Sequence, residues 1–147
     1  MTIEDAPSIV SKGMEALSKH QEQLALTYFE QAIQLERTPQ TCSCIAYCIA
    51  KVRGCYQEAV SLAREALESE PNNPLHYLNL GRVLSLSGDN RQAVLIFRKG
   101  IEYGMHFEFI RELELSGIRS GALFGKLSKN RSLNRVIGPI LSLIKMK

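Results

Sequence analysis

Four cysteines stand close together in this chain, between positions 42 and 55, with the spacing C-x-C-x₃-C-x₆-C. On a helix, Cys44 and Cys48 are one turn apart and share a face, whereas Cys42 and Cys44 point in different directions. Structural zinc sites favour C-x₂₋₄-C pairs on turns, with four ligands that converge tetrahedrally. A regular helix does not offer that arrangement, so we expect Cys42, Cys44, Cys48 and Cys55 to be packed free thiols, with no zinc and no disulfide. Metal binding and redox sensing are the alternatives.

The histidines and acidic residues do not form a recognisable catalytic pattern. His20, His76 and His106 are scattered, and none belongs to a metal-binding pair such as H-E-x-x-H. Phosphate-binding glycine loops and the G-x-S-x-G turn of hydrolases are absent from the sequence. We therefore expect a protein that is not an enzyme and has no cofactor and no metal, with His20 and His106 at the surface.

The elements that position these residues follow from a repeat. Ala25, Ala59 and Ala93 recur at a constant interval, each at the start of a similar frame. Their fixed period of 34 is typical of helix–turn–helix repeats that stack into a solenoid. The period places three units at about 6–39, 40–73 and 74–107, and no alternating strand pattern interrupts them.

The third unit contains Tyr77, Leu80-Gly81, Leu84, Gly88, Ala93, Phe97 and Gly100. This spacing resembles the tetratricopeptide repeat family, and the resemblance covers roughly residues 6–107. It implies an all-α, α-α superhelical solenoid of three such units that binds a protein or peptide in a concave groove. The end of the chain is loosely similar to the tails of some small bacterial proteins of that family.

Close packing explains the small residues of the pattern. Two antiparallel helices approach each other only where a side chain is tiny, so we expect Gly81 to face Ala93, and Gly13 to face Ala25. The middle unit departs from the pattern, with Tyr47 where glycine is expected and Ala63 where an aromatic residue is expected. Ala46 lies one residue early, which leaves the rotation and register of residues 40–53 open.

The end of the chain differs from its body in charge. Residues 1–117 carry 11 basic and 15 acidic side chains, a net charge of −4, whereas residues 118–147 carry seven basic and no acidic ones. We divide the chain there, into the three repeats with a capping helix and a basic, partly helical tail. The predicted cap is residues 107–117, and its sealing residues are Phe109, Ile110, Leu113 and Leu115.

The tail contains too many apolar residues to remain in water: Leu133, Val136, Ile137, Ile140, Leu141 and Ile144. We expect it to pack on the C-terminal end of the solenoid and to cover Phe109 and Leu113. Self-association through the tail is the alternative. The basic charge of the tail is also compatible with binding to a membrane surface, which is possible but not the interpretation we favour. Nucleic-acid binding is unlikely, because the aromatic residues that stack on bases are missing.

The resemblance further implies which residues face the groove. Some family members hold a peptide carboxylate at positions that correspond here to Val10, Met14, Ile45, Leu75 and Asn79, of which only Asn79 is polar, so we do not expect such a clamp. The groove is apolar with a few polar handles and suits an amphipathic helix or an extended apolar segment. The positions carried over from the family are Pro7, Val10, Met14 and Leu17; Thr41, Cys44, Cys48 and Lys51; and Leu75, Leu78, Asn79, Arg82 and Ser85.

The remaining features are those of an ordinary globular chain, with 45% hydrophobic and 22% charged residues. The acidic start, M-T-I-E-D-A-P, shows no secretory signal, so we expect a cytoplasmic location. The leading functional hypothesis is a non-catalytic scaffold or adaptor that binds a peptide or protein segment. The alternative is a membrane-surface or nucleic-acid-associated protein that acts through its basic tail.

Overall fold

The period of the sequence corresponds to pairs of antiparallel helices. In the computed structural model, which describes residues 3–115, every regular element is helical. The helices pair as α1 with α2, α3 with α4 and α5 with α6, and successive pairs stack through α2 on α3 and α4 on α5. This is the predicted all-α solenoid. Its helices are α1 (Ala6–Ser18), α2 (Glu22–Leu35), α3 (Pro39–Arg53), α4 (Tyr56–Ser69), α5 (Pro74–Leu86), α6 (Asn90–Gly100) and α7 (His106–Leu115), with a 3₁₀ turn at Ile101–Tyr103.

The first helix of every pair begins in the same way. A short polar side chain caps the helix by accepting a backbone N–H from its first turn, and a proline follows at the start of the helix. Proline suits this position because the first N–H groups of a helix have no intrahelical partner. The three caps are Asp5, Thr38 and Asn73.

The turns inside the helix pairs recur at the interval of the repeat, and they establish the register of residues 40–53. His20, Gly54 and Gly88 all have positive φ values, of 56°, 66° and 94°. The second helices begin at Glu22, Tyr56 and Asn90, which recur at that same interval. The turn after α3 is therefore in register with its counterparts, and α3 itself is longer because it starts one residue earlier and ends one residue later than α1 and α5 do.

Glycines allow the two helices of a pair to meet, and an aromatic ring is the nearest neighbour of Gly13 and of Gly81. A Cβ atom at Gly13 would lie 2.5 Å from Cε1 of Phe29, and one at Gly81 would collide with the same ring atoms of Phe97. The expected partners, Ala25 and Ala93, are fully buried but are not the nearest atoms. The nearest atoms belong instead to the ring one turn further along the second helix, which fills the space over the glycine.

The middle unit reverses this size pattern. Tyr47 and Ala63 stand one period before Gly81 and Phe97, so each occupies the place of its counterpart. Ala63 of α4 is fully buried, whereas Tyr47 of α3 is half-buried. The Tyr47 ring lies under the guanidinium of Arg82 on α5, 5.3 Å from its centroid. The large side chain of this unit thus contacts the next unit.

The helix α7 caps the third unit through its inner face. The Phe109 ring meets Phe97 edge-on with centroids 6.1 Å apart, and Gly100 leaves room for it. Ile110 and Leu113 are also buried, as expected. Leu115, predicted to seal the solenoid, is 71% exposed because it lies on the outer side of the last turn. Gly117, the division at 117/118, the basic tail and its packing lie outside the described residues.

Candidate functional site

Side-chain contacts between α1, α3, α5 and α7 connect one continuous face. Met14 of α1 lies 3.7 Å from Cys44 of α3, measured between their sulfur atoms. Asn79 of α5 approaches the same Cys44, and Arg82 of α5 reaches α7. All four residues are among the predicted groove residues, so the structure brings together positions that belong to different repeats. We call this the first-helix face.

A cavity of about 350 Å³ opens at the α1 end of this face. Its walls come from α1, the start of α3 and the loop between α2 and α3, and four of the predicted groove residues are among them. Val10 and Met14 are half-buried there, so parts of both side chains remain accessible. The lining residues are Ala6, Pro7, Val10, Ser11, Met14, Glu36, Thr38, Gln40 and Thr41.

The centre of the face is more deeply buried than the sequence suggested. Cys44, Cys48, Leu78 and Asn79 were expected to line an open groove, yet none is more than 2% exposed. The Asn79 amide donates a hydrogen bond of 2.9 Å to Ser43 Oγ and therefore already has a partner inside the protein. In this structure these four residues do not offer contact surface to a ligand.

Burial also determines the chemistry of the cysteines. It raises the pKa of the Cys44 and Cys48 thiols to about 12, so both are protonated at neutral pH and are poor nucleophiles and ligands. Burial likewise raises the pKa of Cys42, whereas Cys55 is exposed. All four are free thiols. Within residues 3–115, no three His, Cys, Asp or Glu side chains are grouped so as to hold a metal ion.

The α5–α7 end of the face carries a charged cluster. The Arg82 Nε donates to Glu112 Oε1 at 2.6 Å, and both side chains are about a quarter exposed or less. Burial raises the pKa of the Tyr47 hydroxyl beneath them, and the nearby Arg82 charge partly offsets this. Sequence reasoning identified Arg82 but missed Tyr47 and Glu112. Glu112 follows Leu78 by one period of the repeat, so extending the repeat into α7 would have found it.

The other predicted groove residues vary in exposure. Lys51 is exposed, whereas Leu17, Leu75 and Ser85 are half-buried. Among the positions compared with a carboxylate clamp, Ile45 is buried.

None of the three histidines lines the cavity at the α1 end. His20 is exposed, as predicted, and His106 is half-buried. His76 was not singled out from the sequence, yet it is fully buried, with Nε2 2.7 Å from the Glu70 carboxylate. This pair joins the loop before α5 to the helix itself, which is a structural role.

A family profile for the tetratricopeptide repeat matches residues 62–94, which run from α4 into α6. These residues thus match the tetratricopeptide repeat. No curated protein matches the chain.

A solved structure agrees on the fold. The crystal structure of the Sgt2 TPR domain from Aspergillus fumigatus superposes with a TM-score of 0.60 and 21% sequence identity, covering 78% of each chain. At this identity the likeness shows the fold alone. No helix within residues 3–115 is both long and apolar enough to cross a membrane.

Proposed function

We propose that this protein is a non-catalytic scaffold that binds a peptide or a segment of another protein on its first-helix face. The tetratricopeptide-repeat fold supports a role in protein–protein interaction. The observation that carries the proposal is the cavity of about 350 Å³ at the α1 end, where Pro7, Val10 and Met14 offer apolar surface.

The lining of the cavity indicates the chemistry of the ligand. Val10 and Met14 supply a branched and a flexible apolar side chain, and methionine adapts its shape to different partners. Glu36 is the one charged residue among the described residues that line the cavity. A ligand that inserts an apolar side chain beside a basic one is therefore complementary to this site.

The experiment compares an aspartate in the cavity with an aspartate elsewhere. Peptides are selected from a random library on the full-length protein, and their Kd values are measured for the wild type, Val10→Asp and Leu95→Asp. Leu95 is the control because it is an exposed apolar residue on α6, a second helix. We expect Val10→Asp to weaken binding at least about tenfold, since ligand binding would desolvate the new charge in the cavity, and Leu95→Asp to leave Kd unchanged. Equal effects of the two variants would contradict the proposal.

The alternative functions involve the basic tail. Membrane-surface or nucleic-acid binding and self-association all depend on residues 118–147, which lie beyond the described part of the chain. A cytoplasmic location also remains a prediction from the sequence.

A further inference from the structure

We propose that the tail segment, which we define as residues 133–144, docks in cis on the first-helix face, so that an outside ligand must displace it. This inference rests on the proposed function, because it assigns a regulator to the same site. It also changes the docking place expected from the sequence, which was the C-terminal end of the solenoid.

The tail segment has the pattern of a ligand for an apolar face. Its apolar residues recur at intervals of three and four, at Leu133, Val136, Ile137, Ile140, Leu141 and Ile144. Gly138-Pro139 interrupts the run, but proline is well suited to begin a new helical turn. Arg131 and Arg135 lie at one end and Lys145 and Lys147 at the other. The segment therefore offers an apolar stripe between basic ends.

The described chain ends beside the proposed docking surface. Glu112, one turn before the last residue of α7, contacts Arg82 on the first-helix face. The four first helices, α1, α3, α5 and α7, extend over roughly 30 Å if neighbours are about 8–10 Å apart. Residues 116–132 span up to about 55 Å when extended. The tail segment can thus reach any part of the face, including the cavity at α1.

Charge complementarity favours docking on the body, and two carboxylates lie near the face. The body carries −4 and the tail carries +7. Glu36 lies in the cavity wall, and Glu22 at the start of α2 is close enough to Tyr47 and Cys48 to influence their pKa values. These carboxylates give the basic ends of the segment complementary partners along the face.

The C-terminal end of the solenoid offers the tail segment less apolar surface. Phe109, a predicted contact of the tail, packs inward against Phe97 and Gly100. The apolar residues that α7 leaves in solvent are Phe107 and Leu115, at 62% and 71% exposure. A covalent tether gives the segment a millimolar effective concentration at the face, which favours docking in cis over docking on a second copy.

The first test uses the native methionines of the full-length chain as reporters. Oxidation by hydrogen peroxide is followed residue by residue by mass spectrometry, with Met105, which does not line the cavity, as internal reference. Met14 is half-buried in the cavity wall, so we expect Ile140→Asp/Ile144→Asp to raise its oxidation rate several-fold relative to that of Met105. The matched control, Ser142→Asp, adds a charge to the same segment without removing an apolar group and should leave the ratio unchanged. An unchanged ratio in the double variant would overturn the proposal.

A second measurement needs no variant, because it uses the wild-type chain. Zero-length carbodiimide cross-linking at micromolar concentration should join Lys145 or Lys147 to Glu22 or Glu36 within one molecule. Cross-links formed only with Glu58 or Glu68 on α4, or only between molecules, would overturn docking in cis on this face.

The peptides selected from the library distinguish peptide binding on the face from docking of the tail segment there. If the tail docks on the face, Ile140→Asp/Ile144→Asp should bind those peptides at least about tenfold more tightly than the wild type, because a competitor has been removed. If Val10→Asp abolishes binding while the tail variant leaves Kd unchanged, the binding site stands and the cis-docked tail is refuted.

Discussion

Gly81 tests whether the contact between paired helices is as tight as the structure indicates. A Cβ atom there would lie 2.8 Å or less from three ring carbons of Phe97. Phe97 is fully buried and its ring meets Phe109 edge-on, so it has little room to withdraw. Overpacking of this kind costs about 1–3 kcal/mol. Alanine also gains up to about 1 kcal/mol in helix propensity, so we expect Gly81→Ala to lose about 1–2 kcal/mol of unfolding free energy.

A larger side chain should have a larger effect. We expect Gly81→Leu to lose on the order of 3 kcal/mol, because leucine cannot reach solvent from this buried position. For a domain of this size, about 1 kcal/mol corresponds to roughly 4 °C in Tm, so leucine should lower Tm by about 12 °C. Circular dichroism melts of the full-length chain measure this change. The exposed Ser61→Ala on α4 is the control and should stay within about 0.5 kcal/mol of the wild type.

A double-mutant cycle identifies the partner of Gly81. Phe97→Leu removes ring atoms from the contact, so Gly81→Ala should be less harmful in that background. We expect a coupling free energy of about 1 kcal/mol or more between the two substitutions. Additive effects, or an unchanged Tm for Gly81→Leu, would refute the contact between Gly81 and Phe97 and restore Ala93 as the candidate partner.

Three further predictions concern the turn, the charged cluster and the thiols. His20→Gly should stabilise the protein by up to about 1 kcal/mol, since His20 has a φ of 56° where the other turns have glycine; a lower Tm would contradict this. Arg82→Met should lose about 1–2 kcal/mol through the contacts with Glu112 and Tyr47, measured by urea unfolding, and an unchanged midpoint would count against the cluster. Burial raises the pKa of Cys44 and Cys48 to about 12, so as the pH rises the unfolded chain loses these protons before the folded protein does. The free energy of unfolding should therefore fall above about pH 9, by about 1.4 kcal/mol per pH unit for each of the two thiols. The same alkaline slope in Cys44→Ala/Cys48→Ala would refute that cause.

The sequence by itself determined the repeat and most of the helices. Caps, prolines and positive-φ turns act over a short stretch of chain, so Thr38, Pro39 and Gly54 could be interpreted locally. The family resemblance then implied which positions of each unit face the groove, and Arg82 is one of those positions in the third unit. The interval of the repeat, carried one step further, leads to Glu112.

Only the tertiary structure decided which side chains meet between helices. The repeat pattern indicates that Gly81 needs a close neighbour, but the rotation of α6 about its axis determines that Phe97 provides the nearest atoms. The same holds for the burial of Asn79 against Ser43 and for the exposure of Leu115. These contacts and exposures depend on how the helices cross and on how each is rotated about its axis. No local sequence pattern specifies those angles.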